Sequence, residues 1–152
     1  MTFDPKILAF CCNWCSYPAA DLAGTARMQY PPSLRIIRVM CSGMVHPNLV
    51  VEAFQHGADG VMIMGCHLGE CHYQDGNYRA QDRVAVIEEM LDALGLEQER
   101  FRLAWCSLAE ADRFVGVVRS MTDTVRELGP SPYRGDGEVP AEGRESAECR
   151  SR

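Results

Sequence analysis

At 152 residues, with apolar side chains making up 47% of the chain, the sequence supports one domain with a core of its own. A formal net charge of −6 argues against a nucleic-acid binder, which would gather positive charge to replace counterions on phosphate. The apolar stretches are short and broken by Gly, Cys or charge, so no membrane span is expected, and the opening MTFDPK lacks the basic and apolar pattern of a secretory signal.

These features predict a cytoplasmic protein. Eight cysteines in that setting stay reduced, which points to metal binding or thiol chemistry rather than a disulfide scaffold.

Along the chain, short apolar runs alternate with longer amphipathic segments. Ile7 to Cys12 reads as a first strand, and Pro18 suits the first turn of a helix continuing through AADLAGTARM. Leu34 to Met40 is a second strand. His46 then stands at a helix N-cap, Pro47 opens PNLVVEAFQHG, His56 lies at its C-terminal end, and Gly57 closes it. Val61 to Gly65 is a third strand, followed by a loop rich in Gly, His and Cys. A helix from about Tyr78 to Leu94 has Val84, Ile87, Leu91 and Leu94 on one face and Gly95 as its stop. Phe101 to Trp105 is a fourth strand. Ser107 and Glu110 have the spacing of a capping box before a last helix with a core stripe of Phe114, Val117, Val118, Met121, Val125 and Leu128.

Beyond Gly129 the composition turns to Pro, Gly and charge, too poor in apolar groups to offset its ordering entropy. The expected organisation is one α/β domain over residues 1–129 and a flexible or partner-docking tail over 130–152.

Strand–helix alternation of this kind predicts a parallel sheet with helices on both faces, most simply in the flavodoxin-like order 2-1-3-4. Ligands in such sheets bind outside the carboxyl ends of strands one and three. No G-x-G-x-x-G or G-x-x-x-x-G-K-[ST] motif follows strand one, and Trp14 and Tyr17 stand where a phosphate would need bare backbone. The expected fold therefore carries no sign of bound flavin.

Five cysteines sit where the first three strands end: Cys12 and Cys15, Cys41, and Cys66 and Cys71. Neighbouring strands lie about 4.8 Å apart, so these ends bring the thiols within reach of one small centre, and thiolates favour an iron–sulfur cluster or zinc. Cys66 and Cys71, in C-x4-C, form the strongest local signal. Cys41 and one of the pair Cys12 and Cys15 complete four places, Cys12 being preferred because it lies nearer the strand end. A rival reading takes Cys12-Asn-Trp-Cys15, between a strand and a helix, as a thiol–disulfide motif. A third is a structural zinc domain. His67 and His72 directly follow cysteines and cannot easily share a metal with them; hydrogen bonding beside the centre or contact with solvent suits both. Cys11 should point to the opposite face of strand one, Cys106 should be a core residue, and Cys149 a bystander.

The segments CNWCSYPAADLAGTARMQYPP, IIRVMCSGMVHP, EAFQHGADGVMIMGCHLGECHYQDGNYRAQDRV and SLAEADRF resemble the delta subunit of methyl-viologen-reducing hydrogenase, over residues 7 to 128. The resemblance implies an electron-transfer subunit with one [2Fe-2S] cluster. Its partners would be a hydrogenase or other electron-donating module and a heterodisulfide reductase-type subunit bearing flavin and iron–sulfur clusters. The family's cysteine pattern falls on Cys12, Cys15, Cys41, Cys66 and Cys71. The small residues Ala19, Ala20, Ala23 and Gly24 beside the site fit either close approach by a partner or ordinary helix–sheet packing.

Overall fold

The computed structural model describes residues 3–135. Strands β1 (Ile7–Cys12), β2 (Leu34–Val39), β3 (Gly60–Gly65) and β4 (Phe101–Trp105) form one parallel sheet in the order β2-β1-β3-β4, as expected. The strands are joined by helices α1 (Ser16–Thr25), α2 (Pro47–Gln55), α3 (Gly76–Asp82) and α4 (Val84–Ala93), and α5 (Ala111–Leu128) follows β4. Single 3₁₀ turns occupy Ser42–Met44 and Gln98–Arg100.

The two central strands are apolar at almost every position because helices cover both of their faces. Ile7, Ala9 and Cys11 of β1 alternate with Leu8 and Phe10, and the first set joins Met62 and Met64 of β3 against α1 and α5. Phe10, Val61 and Ile63 face the other way, onto Val50 and Phe54 of α2 and Ile87 and Leu91 of α4. The alternation buries Cys11 in the first layer and turns Cys12 away from it. Ala19, Ala20 and Ala23 are buried in that layer and serve helix–sheet packing, while Gly24 is exposed. The edge strand β2 carries Arg35 and Arg38 among its isoleucines, charges that discourage a further strand from pairing there.

Beyond shifts of one to three residues at the ends of α1, β2 and β3, the structure departs from the sequence reading at three places. The helix expected over Tyr78–Leu94 starts at Gly76 and is interrupted at Arg83, whose guanidinium donates to the carbonyls of Gly43 (2.7 Å) and Val45 (2.9 Å). The box at Ser107 and Glu110 is half made: Glu110 Oε1 accepts from Ser107 N–H at 2.9 Å, but α5 begins at Ala111, after a turn, with Glu110 as its cap residue.

The third difference lies past Gly129, where the described chain stays in contact with the domain. Buried Asp59 accepts from Ser131 N–H (2.9 Å), Arg134 Nη1 (2.6 Å) and Lys6 N–H (2.8 Å), and Tyr133 donates its hydroxyl to Leu94 O at 2.9 Å. The remainder of the expected tail, with Cys149, lies outside the described residues. Among those described, no helix is long and apolar enough to cross a membrane.

Candidate metal centre

Between β1 and β3 the chain switches faces: α1 lies over one layer of the sheet and α4 over the other. In such sheets this switch opens a crevice at the carboxyl ends of the strands. The β1–β3 ladder stops at Cys11 and Met64. Ser16, wholly buried, takes over there, accepting from Cys12 N–H at 2.8 Å and donating to Met64 O at 2.7 Å. With the backbone satisfied, the crevice is free to be lined by sulfur. The Sγ atoms of Cys12, Cys15 and Cys66 lie within 4.8 Å of one another, and all three residues are buried.

A second pair stands beside this group. Cys41 follows β2 and accepts from Gly43 N–H at 3.4 Å across the 3₁₀ turn, and its Sγ lies 3.7 Å from that of Cys71. The start of α3 is pressed against both sulfurs. A Cβ on Gly76 would fall far inside contact distance of Cys41 Sγ and 3.1 Å from Cys71 Sγ, while one on Gly43 would meet Gly76 O at 2.6 Å. Two glycines thus allow backbone to lie on backbone where side chains would hold the segments apart.

The separations fit a tetrahedral metal. Two thiolates each about 2.3 Å from one ion stand about 3.8 Å apart. The pair Cys12 and Cys66 is at 3.8 Å and the pair Cys41 and Cys71 at 3.7 Å. The protons on these thiols are unevenly held. Sharing protons with the neighbouring thiols of Cys15 and Cys66 holds Cys12 well below the ordinary thiol range. In return, Cys15 is pushed far up and Cys66 up to about 11, and burial raises Cys41. So many crowded sulfurs cannot all ionise without a cation among them, and a metal would displace the shared protons.

Around the sulfurs runs a set of supporting contacts. Asn77, fully buried, donates Nδ2 to the carbonyls of Cys66 (3.1 Å) and His67 (2.7 Å). His67 Nε2 is hydrogen-bonded to Glu110 Oε1, and this contact holds the Glu110 carboxyl down to about 2. His72 stacks on Trp14 with ring centroids 3.8 Å apart, and Trp14 Nε1 reaches the Tyr73 hydroxyl at 3.3 Å.

Across residues 7–129 the chain matches the family model described as methyl-viologen-reducing hydrogenase, delta subunit. It belongs to that family. It is 52% identical over 128 residues to the iron-sulfur subunit of the F420-non-reducing hydrogenase vhc of Methanococcus voltae, covering 84% of this chain and 89% of the relative. With the iron-sulfur subunit of the F420-non-reducing hydrogenase of Archaeoglobus profundus it shares 48% identity over 131 residues, 86% of this chain and 96% of the other. It is also 44% identical over 138 residues to one subunit of the ferredoxin/F(420)H(2)-dependent CoB-CoM heterodisulfide reductase of Methanosarcina acetivorans. That match covers 90% of this chain but only 17% of the much longer relative.

The five cysteines expected at the strand ends, Cys12, Cys15, Cys41, Cys66 and Cys71, gather at one edge of the sheet, as one group of three and one pair. Cys11 is buried on the opposite face of β1, where burial pushes its thiol up to about 12. Cys106 is buried beyond β4 with its Sγ toward Glu110 O at 3.4 Å, outside the sulfur group. His67 hydrogen-bonds Glu110, and exposed His72 meets solvent but also stacks on Trp14, a contact not anticipated for it. Sequence reasoning passed over Ser16, Gly43, Gly76, Asn77 and Arg83. The one signal for them was the Asp75-Gly76-Asn77 run at the start of α3, which reads only as a turn.

Proposed function

We propose that this protein is a cytoplasmic electron-transfer subunit carrying one [2Fe-2S] cluster held by Cys12, Cys41, Cys66 and Cys71. It would relay electrons between a hydrogenase or other electron-donating module and a heterodisulfide reductase-type subunit with flavin and iron–sulfur clusters. The observation that carries this reading is the pairing of sulfurs, Cys12 with Cys66 and Cys41 with Cys71, each pair at the spacing of two ligands on one tetrahedral iron. Bound there, the cluster supplies one-electron oxidation and reduction. The residues supply four thiolates, a buried site and a rim of exposed apolar side chains, Trp14, Met40, Met44, Leu68 and Tyr73, in the ligand-bearing loops and suited to a protein surface. The names of the relatives, hydrogenase iron–sulfur subunits and a heterodisulfide reductase subunit that contains a matching region, support the choice of partners.

A zinc site is the second reading, favoured by the mutual closeness of Cys12, Cys15 and Cys66. Thiol–disulfide exchange fits less well, because Cys12 and Cys15 are both buried and a partner disulfide must reach the attacking sulfur. Anaerobic purification with iron, acid-labile sulfide and zinc assays decides among the three. Iron and sulfide in equal amounts are expected; colourless zinc protein, or metal-free protein with a cycling Cys12–Cys15 bond, would overturn the assignment. Serine at Cys66 or at Cys71 should abolish cluster content, and a full complement in either variant would remove that residue from the ligand set. If Cys15→Ser loses the cluster while Cys12→Ser keeps it, Cys15 takes the fourth place.

A further inference from the structure

Helix α3 contributes no sulfur, yet it lies against the segments that carry Cys41, Cys66 and Cys71. Its first residue, Gly76, lies against Cys41 and Cys71. Its second, Asn77, spans the carbonyls of Cys66 and His67. Arg83, directly after it, binds the carbonyls of Gly43 and Val45, on either side of Met44 in the turn that follows Cys41. From this arrangement we propose that α3 is the template on which the metal centre is assembled, and that Asn77 is its positioning residue, fixing the Cys66 loop so that Sγ of Cys66 faces Sγ of Cys12.

The bonding of Asn77 sets it apart from an ordinary core residue. Its Nδ2 satisfies two consecutive carbonyls that point the same way, which holds the chain in a turn just as it leaves β3. Its Oδ1, by contrast, is buried with no hydrogen-bond partner among the described residues. A carboxamide with one side unsatisfied is unfavourable for the fold alone. Such local costs are expected where a residue is kept for the geometry of a site. The side chain does not reach the metal; it acts through the backbone of Cys66. The inference rests on the metal-centre reading, but the placement of Cys66 can be measured without metal.

Asn77→Asp keeps the shape and replaces the donor with an oxygen that faces two carbonyl oxygens. In metal-free protein, labelling of Cys66 by a maleimide, followed by mass spectrometry, should quicken markedly, while buried Cys106 stays as slow as in the parent chain. In metal-loaded protein, transfer of the metal to a chelator should be about tenfold faster or more, the range for residues that support metal ligands, and the midpoint potential and visible circular dichroism should shift. Asn77→Ser, whose short hydroxyl can serve one carbonyl at most, should fall between the two and covers the case in which the aspartate variant does not fold. Unchanged Cys66 labelling with an unchanged spectrum and potential would overturn the proposal. So would equal acceleration at Cys66 and Cys106 in both variants, which would make Asn77 a general stability residue. Absence of metal from the parent chain would sink the cluster reading and leave the labelling result to judge Asn77.

Discussion

At position 76 even a methyl group is too large, because the space a Cβ needs is taken by the sulfurs of Cys41 and Cys71. Forcing backbone and sulfurs apart in a tight site costs about 1–3 kcal/mol, and here the strain falls on two of the proposed ligands. Gly76→Ala is therefore expected to lose most of its metal while far-UV circular dichroism stays close to that of the parent, as metal analysis after anaerobic reconstitution would measure. Cys11 gives a pH prediction of opposite character, since burial raises its thiol to about 12 from a starting value of 9.0. Because the unfolded chain ionises first, the stability this thiol contributes is complete below pH 9 and is lost as pH rises toward 12. Denaturant unfolding of metal-free protein at about pH 10.5 should show the parent losing about 2 kcal/mol more, relative to neutral pH, than Cys11→Ala loses. The five clustered cysteines were legible in the sequence because they lie at or just past the ends of three apolar runs, and strand ends converge in a parallel sheet. Gly76 and Asn77 were not, because their roles depend on which backbone lies opposite, and nothing local records that.

Among the elements, α3 and α4 show where periodicity stops being informative. The apolar spacing of Val84, Ile87 and Leu91 marks α4, and Ile87 and Leu91 are buried as that spacing requires. The stretch before it has no stripe, since Gly76 and Asn77 face sulfur and polar backbone while Tyr78, Arg79, Gln81 and Asp82 are exposed, and the break at Arg83 comes from bonds to a distant turn. Replacing Arg83 with Met keeps much of the length but removes two charge-assisted hydrogen bonds and leaves two carbonyls to find other partners. A loss of about 2 kcal/mol is expected from denaturant unfolding, with faster amide exchange from Gly43 to Val45 than elsewhere in the sheet. At the start of α5, a capping box was anticipated and only the Glu110 half formed. Glu110 also bonds His67, so a residue read as a helix signal joins the loop after Cys66 to the connection after β4.

For the molecule as a whole, the strand order followed from chain alternation alone, because right-handed crossovers between parallel strands leave few arrangements for four strands. What escaped notice was the return of the chain after Gly129. Its contacts are mostly polar and centre on one buried carboxylate, Asp59, with Tyr133 reaching Leu94 O, so neither apolar spacing nor a cap announces them. Truncation after Gly129 should leave Asp59 buried without Ser131 and Arg134 and cost about 3–5 kcal/mol, the range for breaking a buried charged pair. Truncation after Gly135 keeps these contacts and should leave thermal stability and metal content unchanged; a weaker assembly with partners would assign that segment a docking role. The same contacts have a consequence for how the domain can be deployed. Arg134 donates to Asp4 O at 3.2 Å and lies over the Phe3 ring, so the two limits of the described fold adjoin each other, beside Lys6 at the amino end of β1, while the sulfurs lie beyond its carboxyl end. A fold entered and left at one pole behaves as a plug-in unit: it can be spliced into a longer polypeptide by two neighbouring seams, with its redox-facing pole left clear of connecting chain.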